Sequence, residues 1–418
     1  MATQPDRAVK SFEHDDLDRK PFINRLMDAL IDKNTQRATG IVVGVVGEWG
    51  SGKSSILNML DQSIHENYKN GALVVRFDPW LISDRDSLVS SFFQQLIVTI
   101  TEDSKLKKRL KGFVKIFKEY GKAVSPVANA AIPGAELAIN FFDNILGKNV
   151  SLHTQRKAIN DLLSNIETPV VVLIDELDRV EDDEVRTVAQ LVRAVADFPS
   201  ISYVLAYDHQ RVIEALGGGE RGAAYLEKIV QFPIPLPVML PTHLRRLFEA
   251  QLKAVDADNV IVKPLSSQRR YEEALKFLTP SILKTPRDIK RLVGMYHVLT
   301  GMIGNEVDSI DLLAFTTLIS KAPKTLNLIR INYRIYVEDG WRDEDYIDYF
   351  DKSEKSLEEK LEKRIPKEER SPALDNIIGF IFPRLSKEGK REGVSPISLC
   401  RYRPLLTVLN LGLLPGDR

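Results

Sequence analysis

The sequence predicts an α/β domain, a parallel β-sheet flanked by helices, followed by an α-helical domain. Three observations carry that prediction. Short apolar, β-branched runs occur at Ile41–Val46, Leu73–Phe77, Val170–Ile174, Tyr203–Tyr207 and Ile229–Ile234. They do not alternate polar with apolar, as expected of strands covered on both faces. The segments between them are long enough for the helical crossovers that parallel pairing requires. Past the cluster Pro233, Pro235, Pro237 and Pro241 the strand pattern stops, and apolar residues recur at helical spacing, as in Leu244, Leu247, Phe248 and Leu252.

This pattern divides the chain into a lead-in segment (1–40), an α/β core (41–240) with an insertion at about 105–147, a helical lid (241–320) and a mostly helical extension (321–418). Within the extension, Ser353–Arg370 is dense in Glu, Lys and Arg and reads as a solvated helix. Ser371–Arg418 regains apolar content and reads as packed.

Composition narrows the function classes. The chain has 418 residues, with 58 Lys+Arg against 58 Asp+Glu. That balance argues against a globally basic nucleic-acid coat, though it allows a local patch. The one cysteine, Cys400, excludes an intramolecular disulfide and every Cys-rich zinc module, and reads as a structural thiol. The six histidines form no His-x-x-x-His pair. Met1–Lys20 is polar and charged, unlike a secretory leader. The most apolar long stretch, Ala123–Ala135, is shorter than the roughly 20 residues of a membrane span and carries Pro126 and Pro133. The expectation is a cytoplasmic protein.

The strongest motif is Gly47-Glu48-Trp49-Gly50-Ser51-Gly52-Lys53-Ser54, which fits G-x-x-x-x-G-K-[ST] at every defined position. Glycines let the backbone curl so that successive N–H groups face phosphate oxygens. Lys53 supplies charge to the β- and γ-phosphates, and the Ser54 hydroxyl ligates Mg²⁺. A strand upstream and a helix from Ser55 downstream give the context of a P-loop, with the helix end favouring the anion.

The run Val170–Ile174 leads into Asp175-Glu176-Leu177-Asp178-Arg179, an apolar strand ending in carboxylates. This suits a Walker B element, with Asp175 in the Mg²⁺ shell and Glu176 as the base that polarises water. Such a glutamate separates ATP hydrolases from small-molecule kinases, which leaves a kinase as the weaker reading. The bland alternative is an acidic helix start. Asp208, after the strand Tyr203–Tyr207, has two readings: a γ-phosphate or water sensor, or an N-cap for His209–Leu216. In the helical region, Thr285 fits an N-cap and Pro286 the first helical position. Arg287 or Arg291 on that helix reads either as a lid arginine at the nucleotide or as part of a solvent-facing basic helix. Lys105–Lys122 is a basic amphipathic helix, with Leu106, Leu110, Phe113 and Phe117 on one stripe. Its candidates are a peripheral membrane surface, nucleic acid, a partner, or its own domain.

The P-loop with Trp49 inside it resembles that of the KAP family of P-loop NTPases. So does Phe77-Asp78-Pro79-Trp80, where the family usually has Asn in place of Asp78. Asp175-Glu176-Leu177-Asp178-Arg179 is similar to the family's D-D-L-D-R box, with Glu176 at its second acidic position. Tyr225-Leu226-Glu227-Lys228-Ile229-Val230-Gln231 and Asp15-Asp16-Leu17-Asp18-Arg19-Lys20-Pro21-Phe22 match two further boxes, over roughly residues 10 to 300 in all. The resemblance implies a P-loop NTPase sheet of strand order 5-1-4-3-2, and a lead-in segment near the base. It implies ATP with Mg²⁺ as cofactors, ATP over GTP in keeping with the lack of an Asn/Thr-Lys-x-Asp motif. The nucleotide site is then Gly47, Glu48, Trp49, Gly50, Ser51, Gly52, Lys53, Ser54 and Ser55 with Asp208 and Arg287. Asp175 and Ser54 serve the metal, and Glu176, Lys53 and Asp175 serve catalysis. Family members recur in phage-exclusion operons, which implies an ATP-driven switch in antiviral defence, with a homo-oligomer or an operon-encoded protein as partner. The rival reading is a non-hydrolysing, nucleotide-gated scaffold.

Overall fold

The computed structural model describes residues 7–68, 71–82, 85–102, 157, 160–161, 163–164, 168–255, 265–279, 281–339, 365–385 and 395–412. The basic stretch Lys105–Lys122, the apolar segment after it and most of Ser353–Arg370 lie outside the described residues. The chain divides into two compact units, one holding Ala8–Val238 and the other Met1–Arg7 with Met239–Arg418.

In the first unit, five strands form one parallel sheet: β1 (Val42–Val46), β2 (Leu73–Phe77), β3 (Val170–Ile174), β4 (Ile201–Tyr207) and β5 (Phe232–Pro235). Their order is β2-β3-β4-β1-β5, which is 5-1-4-3-2 read from the other edge. All four pairings are parallel. Both faces are covered, which explains the unbroken apolar runs. On β4, Tyr203, Leu205 and Tyr207 enter one core while Val204 and Ala206 enter the other. The first core is completed by α3 (Arg85–Glu102), α4 (Asp182–Val195) and α5 (His209–Ala215). The second is completed by α1 (Lys20–Leu30) and α2 (Lys53–Asn67), so the lead-in helix packs on the sheet through Ile23, Leu26, Met27 and Leu30.

One strand differs from expectation. Ile229 and Val230 are buried at the end of α6 (Gly219–Glu227), their N–H groups donating to the Leu226 carbonyl, and β5 begins only at Phe232. Their apolar character serves core packing rather than pairing. Pro233 and Pro235 then fall on the edge strand, where a missing donor is tolerated.

The described part of the second unit is helical: α7 (Pro241–Val255), α8 (Leu265–Leu278), α9 (Pro286–Ile303), α10 (Ser309–Lys321), α11 (Pro323–Ile331), α12 (Tyr333–Tyr336), α13 (Pro372–Ile381) and α14 (Tyr402–Leu409). Thr285 and Asp288 form a reciprocal capping box at α9, with Pro286 in its first turn. Asp311 of α10 is fully buried. It pairs with Arg270 of α8 and accepts from the Ser398 hydroxyl (2.6 Å) and Leu399 N–H (3.0 Å). That carboxylate ties residues 398–399 to the helices. Leu374, Ile377, Ile378, Leu405 and Val408 are buried, as the apolar content after Ser371 suggests.

Candidate nucleotide-binding site

Parallel pairing brings the carboxyl ends of β1, β2, β3 and β4 to one edge. Phe77 pairs with Ile174, Ile174 with Leu205, and Val46 with Tyr207. The residues leaving those strands, Gly47, Asp78, Asp175 and Asp208, therefore converge where ligands of open α/β sheets bind.

The loop after β1 is fixed by local bonds. Gly47 N–H donates to the Tyr207 carbonyl (3.2 Å), and Ser51 Oγ donates to the Glu48 carbonyl (2.6 Å). A side chain at Gly47 would sit 2.6 Å from Ser51 Oγ and 2.9 Å from Leu236. Gly50 (φ 85°) and Gly52 (φ 98°) take left-handed conformations, which only glycine adopts without strain. Gly52 caps α2, so Lys53, Ser54 and Ser55 open the helix. Trp49 stands at the loop's crest, 54% exposed. Ser55 Oγ accepts from Val9 N–H (3.0 Å), bringing the lead-in segment against the start of α2.

Lys53 folds back into the loop. Its Nζ donates to the carbonyls of Gly47 (2.9 Å) and Glu48 (3.3 Å) and pairs with Asp178 (2.9 Å). Both side chains are almost fully buried, 7% and 6% exposed. Asp175 accepts from Glu176 N–H (2.9 Å), and the nearby Ser54 hydroxyl favours its charged form. Burial pushes its carboxyl above the ordinary range. Glu176 has φ 56°, a strained value for a non-glycine residue, and pairs with Arg179 at 2.7 Å. Burial also raises Glu176, opposed by Arg179 and reinforced by Asp78, Asp175 and Asp178. Asp78 is raised chiefly by burial and then by Asp175, and its Oδ1 is buried without a hydrogen-bond partner among the described residues.

Asp208 caps α5, one carboxylate oxygen accepting from Gln210 (3.1 Å) and Arg211 (3.2 Å) N–H. Arg211 in turn reaches the Val180 carbonyl (2.9 Å), which links α5 to the turn after β3. Arg287 and Arg291 lie on α9 in the second unit, not in the unit that carries the other site residues. Three residues to which sequence reasoning gave no role complete the site: Asp178 on Lys53, Arg179 on Glu176, and Arg19, whose Nη2 donates to the Ser51 carbonyl (3.1 Å). All three lie in quoted motifs, but pairings across 125 and 32 residues have no signature in spacing.

The sequence profile of the KAP family P-loop domain matches residues 19–302, more than half of the chain. The chain belongs to the KAP family of P-loop NTPases. It is similar to the phage T7 exclusion protein of Escherichia coli K12, 29% identical over 281 residues. That match covers 60% of this KAP chain and 37% of the relative, so well under half of the relative's length is represented. Among solved structures it is similar to the Aeropyrum pernix ORC2 protein (TM-score 0.41, 13% identity, 79% of this chain and 76% of that one). It is also similar to a Walker-type ATPase of Pyrococcus abyssi (TM-score 0.37, 14% identity, 90% and 92%). Both likenesses are distant.

The site chemistry suits a Mg²⁺–nucleotide. The Ser54 hydroxyl lies near enough to Asp175 to favour its charged form, and the carboxyls there are raised by burial, a penalty that a cation relieves. Among the described residues no cluster of three or more His, Cys, Asp or Glu side chains is arranged to hold a metal. The further ligands of such an ion would be phosphate oxygens and water, the usual mode for Mg²⁺. No helix among the described residues is long and apolar enough to cross a membrane.

Proposed function

We propose that this KAP protein binds ATP with Mg²⁺, hydrolyses it, and uses the cycle as a conformational or oligomerisation switch in phage defence. The observation that carries the reading is the convergence of Lys53, Ser54, Asp175 and Glu176 at one edge of the sheet. The defence role is supported by the similarity to a phage T7 exclusion protein.

Backbone N–H groups of residues 50–55 and the start of α2 receive the phosphates. Lys53 exchanges Asp178 for a phosphate oxygen. Ser54 and Asp175 would hold Mg²⁺, which offsets phosphate charge when bound. Glu176 leaves Arg179 and accepts a hydrogen bond from the attacking water, and its burial keeps it a stronger base than an exposed carboxylate. Asp208 at the end of β4 senses the γ-phosphate through its second oxygen. An oligomer of this chain, or a protein partner, reads the nucleotide state.

A second reading has its own support. Lys53 and Glu176 are both engaged by neighbours in the turn after β3. A site held so would bind nucleotide and turn over only with an activating partner, as a gated scaffold does.

The test is ATP hydrolysis and ATP-analogue binding by the purified protein beside Lys53→Ala and Glu176→Gln. Lys53→Ala should lose binding. Glu176→Gln should bind ATP without splitting it. Hydrolysis by Glu176→Gln at the parental rate would remove Glu176 as the base. Tight binding without turnover in the parent would favour the gated scaffold.

A further inference from the structure

Arg19 precedes α1, yet its guanidinium lies against the P-loop. The residue is 5% exposed. Nη2 donates to the Ser51 carbonyl at 3.1 Å. Nη1 is buried and meets no acceptor among the described residues. A Cβ built on Gly52 would stand 3.8 Å from that nitrogen, so the cation sits immediately behind the loop's last glycine. The nearby carboxylate, Asp15, accepts the backbone N–H groups of Leu17, Arg19 and Lys20 and favours the guanidinium only through space, less than burial disfavours it. A buried guanidinium with an idle donor is costly for the unliganded fold. Nothing in the packing of α1 requires it, since Ile23, Leu26, Met27 and Leu30 anchor that helix.

We infer that Arg19 is a positioning residue for the polyphosphate: its charge favours an anion in the loop, and its bond to Ser51 holds the peptide beside Gly52 in the phosphate-binding curl. The ligand class is a nucleoside di- or triphosphate. The inference rests on the proposed reading of the loop as a nucleotide site. Lys53 then acts from inside the loop and Arg19 from outside it.

Arg19→Gln keeps a donor for Ser51 but removes the charge, and Arg19→Lys keeps the charge. Affinity for a non-hydrolysable ATP analogue and for ADP, and the melting temperature without nucleotide, are measured for both variants, the parent and Lys53→Ala. Arg19→Gln should weaken both nucleotides at least about tenfold, as for loss of a charge-assisted contact. Arg19→Lys should stay within about threefold of the parent. Without nucleotide, Arg19→Gln should melt no lower than the parent, because it removes a buried charge whose burial outweighs the nearby Asp15. Parental affinity in Arg19→Gln overturns the inference. So does a lowered unliganded melting temperature accompanying the lost affinity, which is the mark of a merely structural residue. If the parent itself binds neither nucleotide, the reading of the loop fails instead.

Discussion

The Lys53–Asp178 pair makes a demanding test of how this site rests and fires. Asp178→Asn keeps the shape of the side chain and removes its charge. Removing one partner of a buried ion pair costs about 3–5 kcal/mol when the other is stranded. Here Lys53 retains the Gly47 and Glu48 carbonyls, so the cost belongs near the low end, about 3 kcal/mol. For a unit the size of Ala8–Val238 that is a fall in melting temperature of about 6–12 °C. On the proposed reading the nucleotide-bound state loses much less, since Lys53 would by then have moved to phosphate. Linkage then requires ATP analogue to bind Asp178→Asn more tightly, by up to about a hundredfold for the same 3 kcal/mol. Calorimetric binding and thermal melts with and without analogue measure both quantities on one sample. Weaker binding together with lower stability would refute the reasoning, because it would mean that Asp178 supports the bound state rather than competing with it.

Three further outcomes follow from the same geometry. Asp78→Asn should raise the unliganded stability by about 1 kcal/mol in denaturant melts, since it neutralises a carboxylate with a buried, unsatisfied oxygen; a loss of stability would mean that its charge is compensated. Burial pushes the Cys400 thiol up to about 11 from 9.0, so its contribution is complete below pH 9 and is lost as pH rises from 9 through 11, by up to about 3 kcal/mol. Cys400→Ala should flatten that alkaline slope, and native Cys400 should resist alkylation at pH 8. Chelating Mg²⁺ should weaken ATP-analogue binding at least about tenfold, read by titration with and without EDTA, while ADP suffers less.

The sheet was legible because its signal is local. Runs such as Val170–Ile174 need cover on both faces, and they have it. The strand order followed from the family resemblance, since no periodicity states which strands are neighbours. Glycine spacing around Lys53 could be read for the same local reason: the left-handed Gly50 and Gly52 are demanded within eight residues. The start of β5 was misplaced because Ile229 and Val230 satisfy a helix end as readily as a strand. Electrostatic pairing was not legible at all. Asp178 and Arg179 stand beside Asp175 and Glu176 in sequence, yet nothing in the spacing says which of them takes Lys53 and which takes Glu176 across the left-handed turn at Glu176. Arg19 found Ser51 only through the packing of α1 on α2.

The charges explain why the turn is built this way. Asp78, Asp175, Glu176 and Asp178 put four carboxylates at one sheet edge, and the first three are pushed toward their neutral forms by burial. Against them stand Lys53, Arg179 and Arg76, of which Arg76 is already shared with Asp61. A bare polyphosphate would therefore enter a field that is negative on the β3 side and positive only along the loop. Ser54 and Asp175 would hold a divalent cation, which would reverse that sign locally. Once the phosphates have taken Lys53, Asp178 is left as a buried carboxylate without its cation. Arg179, adjacent in the chain and bound to Glu176 at rest, is a candidate replacement. If Arg179 swings to Asp178, Glu176 is released for water in the same motion. On the proposed reading, loading of the loop and release of Glu176 would be one electrostatic exchange along residues 176–179, driven by phosphate at Lys53.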